Sequence, residues 1–149
     1  MRLPKQSRKI TVNRIIDANI NRVKEGLRVC EEVTRFILNN RALTLELKKI
    51  RHAIDSVTGN LVPKPLLLKE RLAGEDIGRL LRGNELKRDS LKDVFFANIQ
   101  RVKESTRVLE EFSKLINVSS ALKFKRIRYR IYEIEKRAAG KISSISDSC

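Results

Sequence analysis

Residues 18–37, ANINRVKEGLRVCEEVTRFI, return 79 positions later as residues 97–116, ANIQRVKESTRVLEEFSKLI, with twelve of the twenty positions identical. The echo continues downstream, where LKKIRHAI (47–54) answers FKRIRYRI (124–131). A segment pair that occurs twice means that one supersecondary unit, here a pair of helices, has been duplicated. The Asn, Arg and Glu positions repeat more faithfully than the apolar spacing. That pattern points to a site, placed between the two halves.

The apolar residues set the elements. Ile16, Ile20, Val23, Leu27, Cys30, Thr34 and Ile37 recur at alternating intervals of four and three, the stripe of a helix buried along one side. Asn39-Asn40 favours a turn. Leu43, Leu47, Ile50, Ile54, Val57 and Leu61 mark a second helix. Ser90 with Asp93 resembles a capping box opening a third helix that reaches about Asn117. Ser119-Ser120 open a fourth, which carries Phe124, Ile127, Ile131, Ile134 and Ala138 and ends near Gly140. Two hairpins related by a pseudo-twofold axis predict an all-α four-helix bundle. The expected organisation is a flexible basic arm (1–10), a hairpin (11–60), a connector (61–89), a second hairpin (90–140) and a disordered tail (141–149). A connector of that length inside a compact domain is a functional or mobile segment.

At 149 residues the chain fits one domain. Its formal charge of +15 predicts attraction to anions: nucleic acid, phosphorylated metabolites or acidic membranes. Membrane insertion is not expected, because no apolar run approaches the roughly 20 residues required. The first nine residues hold four basic groups and no apolar signal core, so a cytoplasmic location is expected. Cys30 and Cys149 make neither a disulfide framework nor a metal cluster, and Cys30 reads as core. His52, which aligns with Tyr129, reads as a packing residue.

Beside the main stripe of helix 1 runs a second one: Ile15, Asn19, Arg22, Gly26, Val29, Val33. Its counterpart is Val94, Asn98, Arg101, Ser105, Val108, Phe112. Each has Asn, Arg and a very small residue at its middle. A buried Arg needs a partner or a ligand, and the Gly or Ser leaves room for one. The functional reading is a pocket near each repeat, suited to phosphate or a heteroaromatic edge. The structural reading pairs Arg22 with Glu25 and Arg101 with Glu104 one turn away. Glu25, Arg28, Glu31 and Glu32, with Glu104, Arg107, Glu110 and Glu111, read as a solvated, ion-paired face. Asp17 has no equivalent at the matching Phe96, which makes it a candidate for a function held by one half only. Lys48, Lys49 and Arg51, with Lys123, Lys125, Arg126, Arg128 and Arg130, form basic ridges. Aromatic residues are sparse there, so nucleic acid is not the expected partner. RLAGEDIGR (71–79) could fold over phosphates, yet it is neither a P-loop nor a dinucleotide fingerprint.

DANINRVKEGLRVCEEVTRF (17–36), the second AN-x-x-R-V-K-E-x-x-R-V-L-E-E (97–111) and FKRIRYRIYEIEK (124–136) resemble the ThiD2 family. This small domain is often fused ahead of bacterial thiamine phosphate synthase, and the resemblance covers residues 12–137. The resemblance implies a kinase that uses ATP and Mg2+ to convert 4-amino-2-methyl-5-hydroxymethylpyrimidine monophosphate to the diphosphate. Its partners would be a pyrimidine phosphate and a nucleotide. Arg22 and Arg101 would then hold phosphates, with Asp17 the third catalytic group. Asn19, Asn98, Glu25, Arg28, Glu104, Arg107 and Arg71 would contact substrate, Glu25 and Asp76 would hold magnesium, and residues 66–88 would close over the site. A departure stands in the middle segment, where Arg71 is followed by Leu72-Ala73 instead of Asp-Thr, and only Asp76-Ile77-Gly78 keeps the later turn. Alternatives are a non-catalytic helical module associated with thiamine phosphate synthase, or a basic nucleic-acid-binding bundle. Helices apolar on two sides also leave a homodimer open.

Overall fold

The computed structural model describes residues 4–80 and 86–145, the side chain of Ile10 excepted. The described residues form five α-helices and no strand: α1 (Lys5–Glu32), α2 (Arg41–Gly59), α3 (Lys64–Glu70), α4 (Leu91–Ser113) and α5 (Val118–Ile142). The end of α1 loosens into one π turn, Val33–Ile37, and two single 3-10 turns follow α3 at Ala73–Glu75 and Ile77–Arg79.

Local chemistry accounts for most boundaries. Asn39 adopts the left-handed region at φ 49°, which a short amide side chain tolerates. The next residue, Asn40, caps α2 by accepting from the Leu43 N–H at 3.0 Å. Ser90 Oγ accepts from the Asp93 N–H at 3.2 Å, and Asp93 Oδ2 accepts from the Asp89 N–H at 3.0 Å. The capping box is therefore present, with its return bond one residue further out than expected. Asn117 caps α5 through the Ser120 N–H at 3.3 Å. Two expectations are corrected. Helix α1 begins at Lys5, directly after Pro4, so most of the stretch expected as a flexible arm is helical. Helix α5 runs through a buried Ile142, past the expected end near Gly140. Of the expected tail, residues 146–149 lie outside the described residues.

The four long helices form a bundle in which α1 packs on α4 and α2, while α5 packs on α4 and α2. The two diagonal pairs make little contact. Helices α1 and α4 run antiparallel: Gly26 faces Asn98 and Val102, and one turn later Cys30 faces Phe95. This arrangement places the pseudo-twofold axis across the α1–α4 interface. The expected stripes meet at its centre, where Ile16, Val23, Leu27 and Cys30 are fully buried with Phe95, Ile99, Val102 and Leu109. Each such aliphatic side chain contributes about 2 kcal/mol through the hydrophobic effect. Ile37, at the end of the first stripe, is exposed, because the π turn shifts it off the buried face. His52 is exposed as well, which corrects its expected packing role.

Gly26 explains how closely the halves approach. A Cβ built there would lie 2.8 Å from Val102 Cγ2 and 3.1 Å from the Asn98 carbonyl oxygen. The space expected to hold a ligand beside Gly26 is instead filled by α4. Its counterpart Ser105 is buried too, and Oγ donates to the Arg101 carbonyl at 2.6 Å.

Candidate functional site

A cleft of about 740 Å³ opens beside α1, bounded by the connector at residues 71–76 and by Val108 and Phe112 of α4. Asp17, Asn19, Arg22, Glu25, Arg71 and Asp76, six of the expected site residues, all line it. Helical spacing brings Asn19, Arg22 and Glu25 together, because residues three apart share one face of α1, and Asp17 borders them on the side where Arg71 meets the helix. Asn98, Arg101, Glu104, Arg107 and Arg28 do not line this cleft.

Asp17 organises the cleft. It is 7% exposed, and Arg71 grips it with two parallel bonds, Nε to Oδ2 at 2.7 Å and Nη2 to Oδ1 at 2.8 Å. The hydrogen bonds to Asp17, and then its charge, raise the Arg71 pKa above its ordinary value. One turn earlier on α1, the buried Asn13 donates to Glu70 Oε2 at 2.8 Å. Residues 70 and 71 are thus strapped to α1 at two successive turns. The second half has Lys92 and Phe96 at the matching positions, neither of which can repeat the Asn13 and Asp17 bonds.

Asn19 is buried, and its Nδ2 donates to the Ile15 carbonyl at 2.8 Å. Its twin Asn98 donates likewise to Val94 at 2.7 Å. Each repeated amide therefore spends a donor on its own helix and offers its oxygen outward. Arg22 donates to that oxygen of Asn19 at 3.4 Å. Contrary to the reading of buried guanidiniums, Arg22 and Arg101 are both exposed. Neither makes an ion pair among the described residues, so the structural alternative with Glu25 and Glu104 does not hold either; Glu104 accepts from Gln100 at 3.0 Å.

Besides Asp17, the buried charged residues are Glu31 and Glu110, which corrects their assignment to a solvated face. They are 5% and 4% exposed. Arg51 reaches Glu31 across the first hairpin at 2.9 Å, and Arg128 reaches Glu110 across the second at 2.9 Å. In each arginine the hydrogen bond to the carboxylate raises the pKa. Arg28 and Arg107 close these clusters from solvent, at 3.6 Å from Glu31 and 3.3 Å from Glu110. The sequence carried a signal for these pairs. Both members recur at matched positions of the duplicated helices, unlike Asp17 and Asn13 of the strap.

The donor set does not suit a resident magnesium ion. Both Asp17 oxygens are taken by Arg71, and Asp76 Oδ1 accepts from the Gly78 N–H at 2.8 Å. Among the described residues no group of three or more His, Cys, Asp or Glu side chains is placed to hold a metal. Glu25 remains an exposed carboxylate on the cleft wall.

The ThiD2 family model matches residues 14–137. The chain belongs to the ThiD2 family. This ThiD2 chain is 42% identical over 130 residues to a thiamine-phosphate synthase of Nostoc punctiforme, which covers 87% of the chain and 36% of that protein. It is 38% identical over 138 residues to a thiamine-phosphate synthase of Synechocystis sp., covering 91% of the chain and 38% of that protein. A thiamine-phosphate synthase of Rhodopirellula baltica is 38% identical over 135 residues, covering 87% of the chain and 36% of that protein. The chain spans little more than a third of the length of these curated relatives. No solved structure matches it.

These names overturn one expectation. The relatives are named for a synthase, a transferase, and not for a phosphomethylpyrimidine kinase. The ATP-dependent phosphorylation inferred from the resemblance is corrected on that ground. No described helix is long and apolar enough to cross a membrane.

Proposed function

We propose that this ThiD2 chain is a non-catalytic helical module that associates with thiamine-phosphate synthase and holds a phosphorylated heterocycle in the cleft beside α1. The observation that carries the reading is the coverage: the like segment makes up 36–38% of longer proteins named thiamine-phosphate synthase. A module retained within those chains works next to the synthase, and a module of this size is suited to delivering or retaining a small anion. The cleft chemistry fits that task. Arg14 and Arg22 line it and have no carboxylate partner among the described residues, as a phosphate requires. Ile15, Val108 and Phe112 supply an apolar wall for a ring.

Isothermal titration of the chain against a thiamine-phosphate synthase, followed by synthase kinetics with and without the chain, tests the association. The expected results are a micromolar complex and a changed kcat/KM of the synthase. Absence of a complex, or ADP release from ATP by the chain alone, overturns the reading. For the cleft, titration with thiamine phosphate is expected to show binding that Arg22→Ala weakens about tenfold, with Tm unchanged. Unaltered affinity in that variant removes Arg22 from the site.

A further inference from the structure

The buried clamp is the same in both halves, but what stands on it is not. Helices α2 and α5 correspond at an offset of 77 positions, so Arg51 matches Arg128, His52 matches Tyr129 and Asp55 matches Tyr132. In the second half the guanidinium held by Glu110 also holds two aromatic rings. Arg128 Nη1 donates to the Tyr132 hydroxyl oxygen at 2.9 Å. Its central carbon lies 5.3 Å from the Tyr129 ring centroid and 5.7 Å from that of Tyr132. The rings meet edge to face with centroids 5.7 Å apart. Both are on the surface, 55% and 41% exposed. Arg128 and Lys103, the latter 5.9 Å from the Tyr132 ring centroid, hold the rings in place at a wet surface. Yet the first half folds with His52 and Asp55 in their place, so the hairpin itself does not require exposed rings there.

The surroundings of these rings carry uncompensated charge. Lys125, Arg126 and Arg130 are exposed on the same outer face of α5 and make no ion pair among the described residues, whereas the arginines of the α1 and α4 glutamate clusters are all engaged. Glu133 is an exposed carboxylate on this face of α5, while the nearby Glu110, Glu111 and Glu135 are already paired with Arg128, with Arg107 and Lys114, and with Lys103. Cations without carboxylate partners attract a polyanion, and flat aromatic faces between them distinguish which one. An acidic membrane needs large aliphatic or Trp and Phe side chains to insert, and beside the tyrosines this face offers only Val118 and Leu122, both in its first turns. Stacked bases need aromatic planes flanked by cations, which is what stands here.

We propose that the outer face of α5, centred on Tyr129 and Tyr132 with Lys125, Arg126 and Arg130, binds single-stranded nucleic acid by base stacking and phosphate neutralisation. This revises the sequence expectation that aromatic residues are too sparse for such a role, since the two tyrosines gather at one place in the fold. The site is separate from the α1 cleft.

Fluorescence anisotropy of the chain with a labelled oligothymidylate tests it, with salt varied at each protein concentration. Binding is expected to weaken steeply as salt rises. Tyr129→Ala is expected to reduce affinity about tenfold, in line with the loss of one stacked base, whereas Tyr129→Phe stays within about twofold. Because Tyr129 makes no hydrogen bond to the clamp, circular dichroism should show both variants folded. Lys125→Gln with Arg130→Gln is expected to flatten the salt dependence. Wild-type binding that Tyr129→Ala leaves unchanged, equal affinity for duplex DNA or anionic vesicles, or no binding at low salt overturns the proposal.

Discussion

Glu31 and Arg51 meet through two bonds, Nε to Oε2 at 2.9 Å and Nη2 to Oε1 at 3.2 Å, although 20 residues separate them. The pair joins α1 to α2, and Glu110 with Arg128 joins α4 to α5 in the same way. Duplication has preserved a buried cross-hairpin clamp in each half.

Breaking one clamp leaves buried Glu31 with only the exposed Arg28 at 3.6 Å. Arg51→Ala is expected to lower unfolding free energy by about 3 kcal/mol, as removal of one partner of a buried pair does. Glu31→Leu combined with Arg51→Met should recover most of that loss, since two apolar groups need no partner. Urea melts of the three variants decide the matter, and a double variant as unstable as Arg51→Ala contradicts the account.

Gly26→Ala should destabilise the bundle although alanine is the better helix former by about 1 kcal/mol. The added Cβ meets Val102 at 2.8 Å and a backbone oxygen at 3.1 Å, neither of which can swing aside. A net loss of about 2 kcal/mol is expected from overpacking. Ser105→Ala, at the matched position, removes only a bond within its own helix, so it should cost less than Gly26→Ala. Thermal melts that rank the two the other way argue against a close contact at Gly26.

Arg71→Ala is expected to loosen the connector more than the bundle. The Arg71 side chain is 41% exposed, so solvent already screens the pair and the global loss should stay near 1 kcal/mol. Hydrogen exchange at residues 71–80 should accelerate at least tenfold, with the α1–α4 core unaffected. Equal protection of that segment in variant and wild type would show that Asp17 does not hold it.

Cys30 provides a pH dependence. Burial, and then the charge of Glu135, push its thiol from the ordinary 9.0 up to about 12. The unfolded chain therefore ionises first. The stability contribution is intact below pH 9 and declines as pH rises toward 12, by about 1.4 kcal/mol per unit. Cys30→Val lacks this decline, so wild type should lose about 2 kcal/mol relative to it between pH 8.5 and 10.5. Parallel stability curves would refute the shift. Native-state alkylation of Cys30 in a Cys149→Ser background should be correspondingly slow at pH 8.

The helices were legible because their causes lie within one or two turns. Leu43, Leu47, Ile50, Ile54, Val57 and Leu61 are all buried as their spacing required. The caps at Asn40 and Ser90 act over three residues. The cleft was legible in part. Asp17 stood out because Phe96 faces it in the alignment, and Arg71 was named, but their pairing spans 54 residues and no local pattern encodes it. The fate of the charges was misread. Arg22 lies on a helical stripe that continues the apolar one, yet α4 does not cover it, whereas Glu31 lies off that stripe and is covered by α2 with an arginine attached.

The sequence alone determined that this chain is two copies of one helical hairpin, because apolar spacing and capping are properties of neighbouring residues. The tertiary structure decided which glutamates lie inside, which arginines are left to solvent, and that a cleft forms where the connector is strapped to α1. Burial of a charged group depends on what the adjoining helix presents to it. That is settled only when distant segments pack.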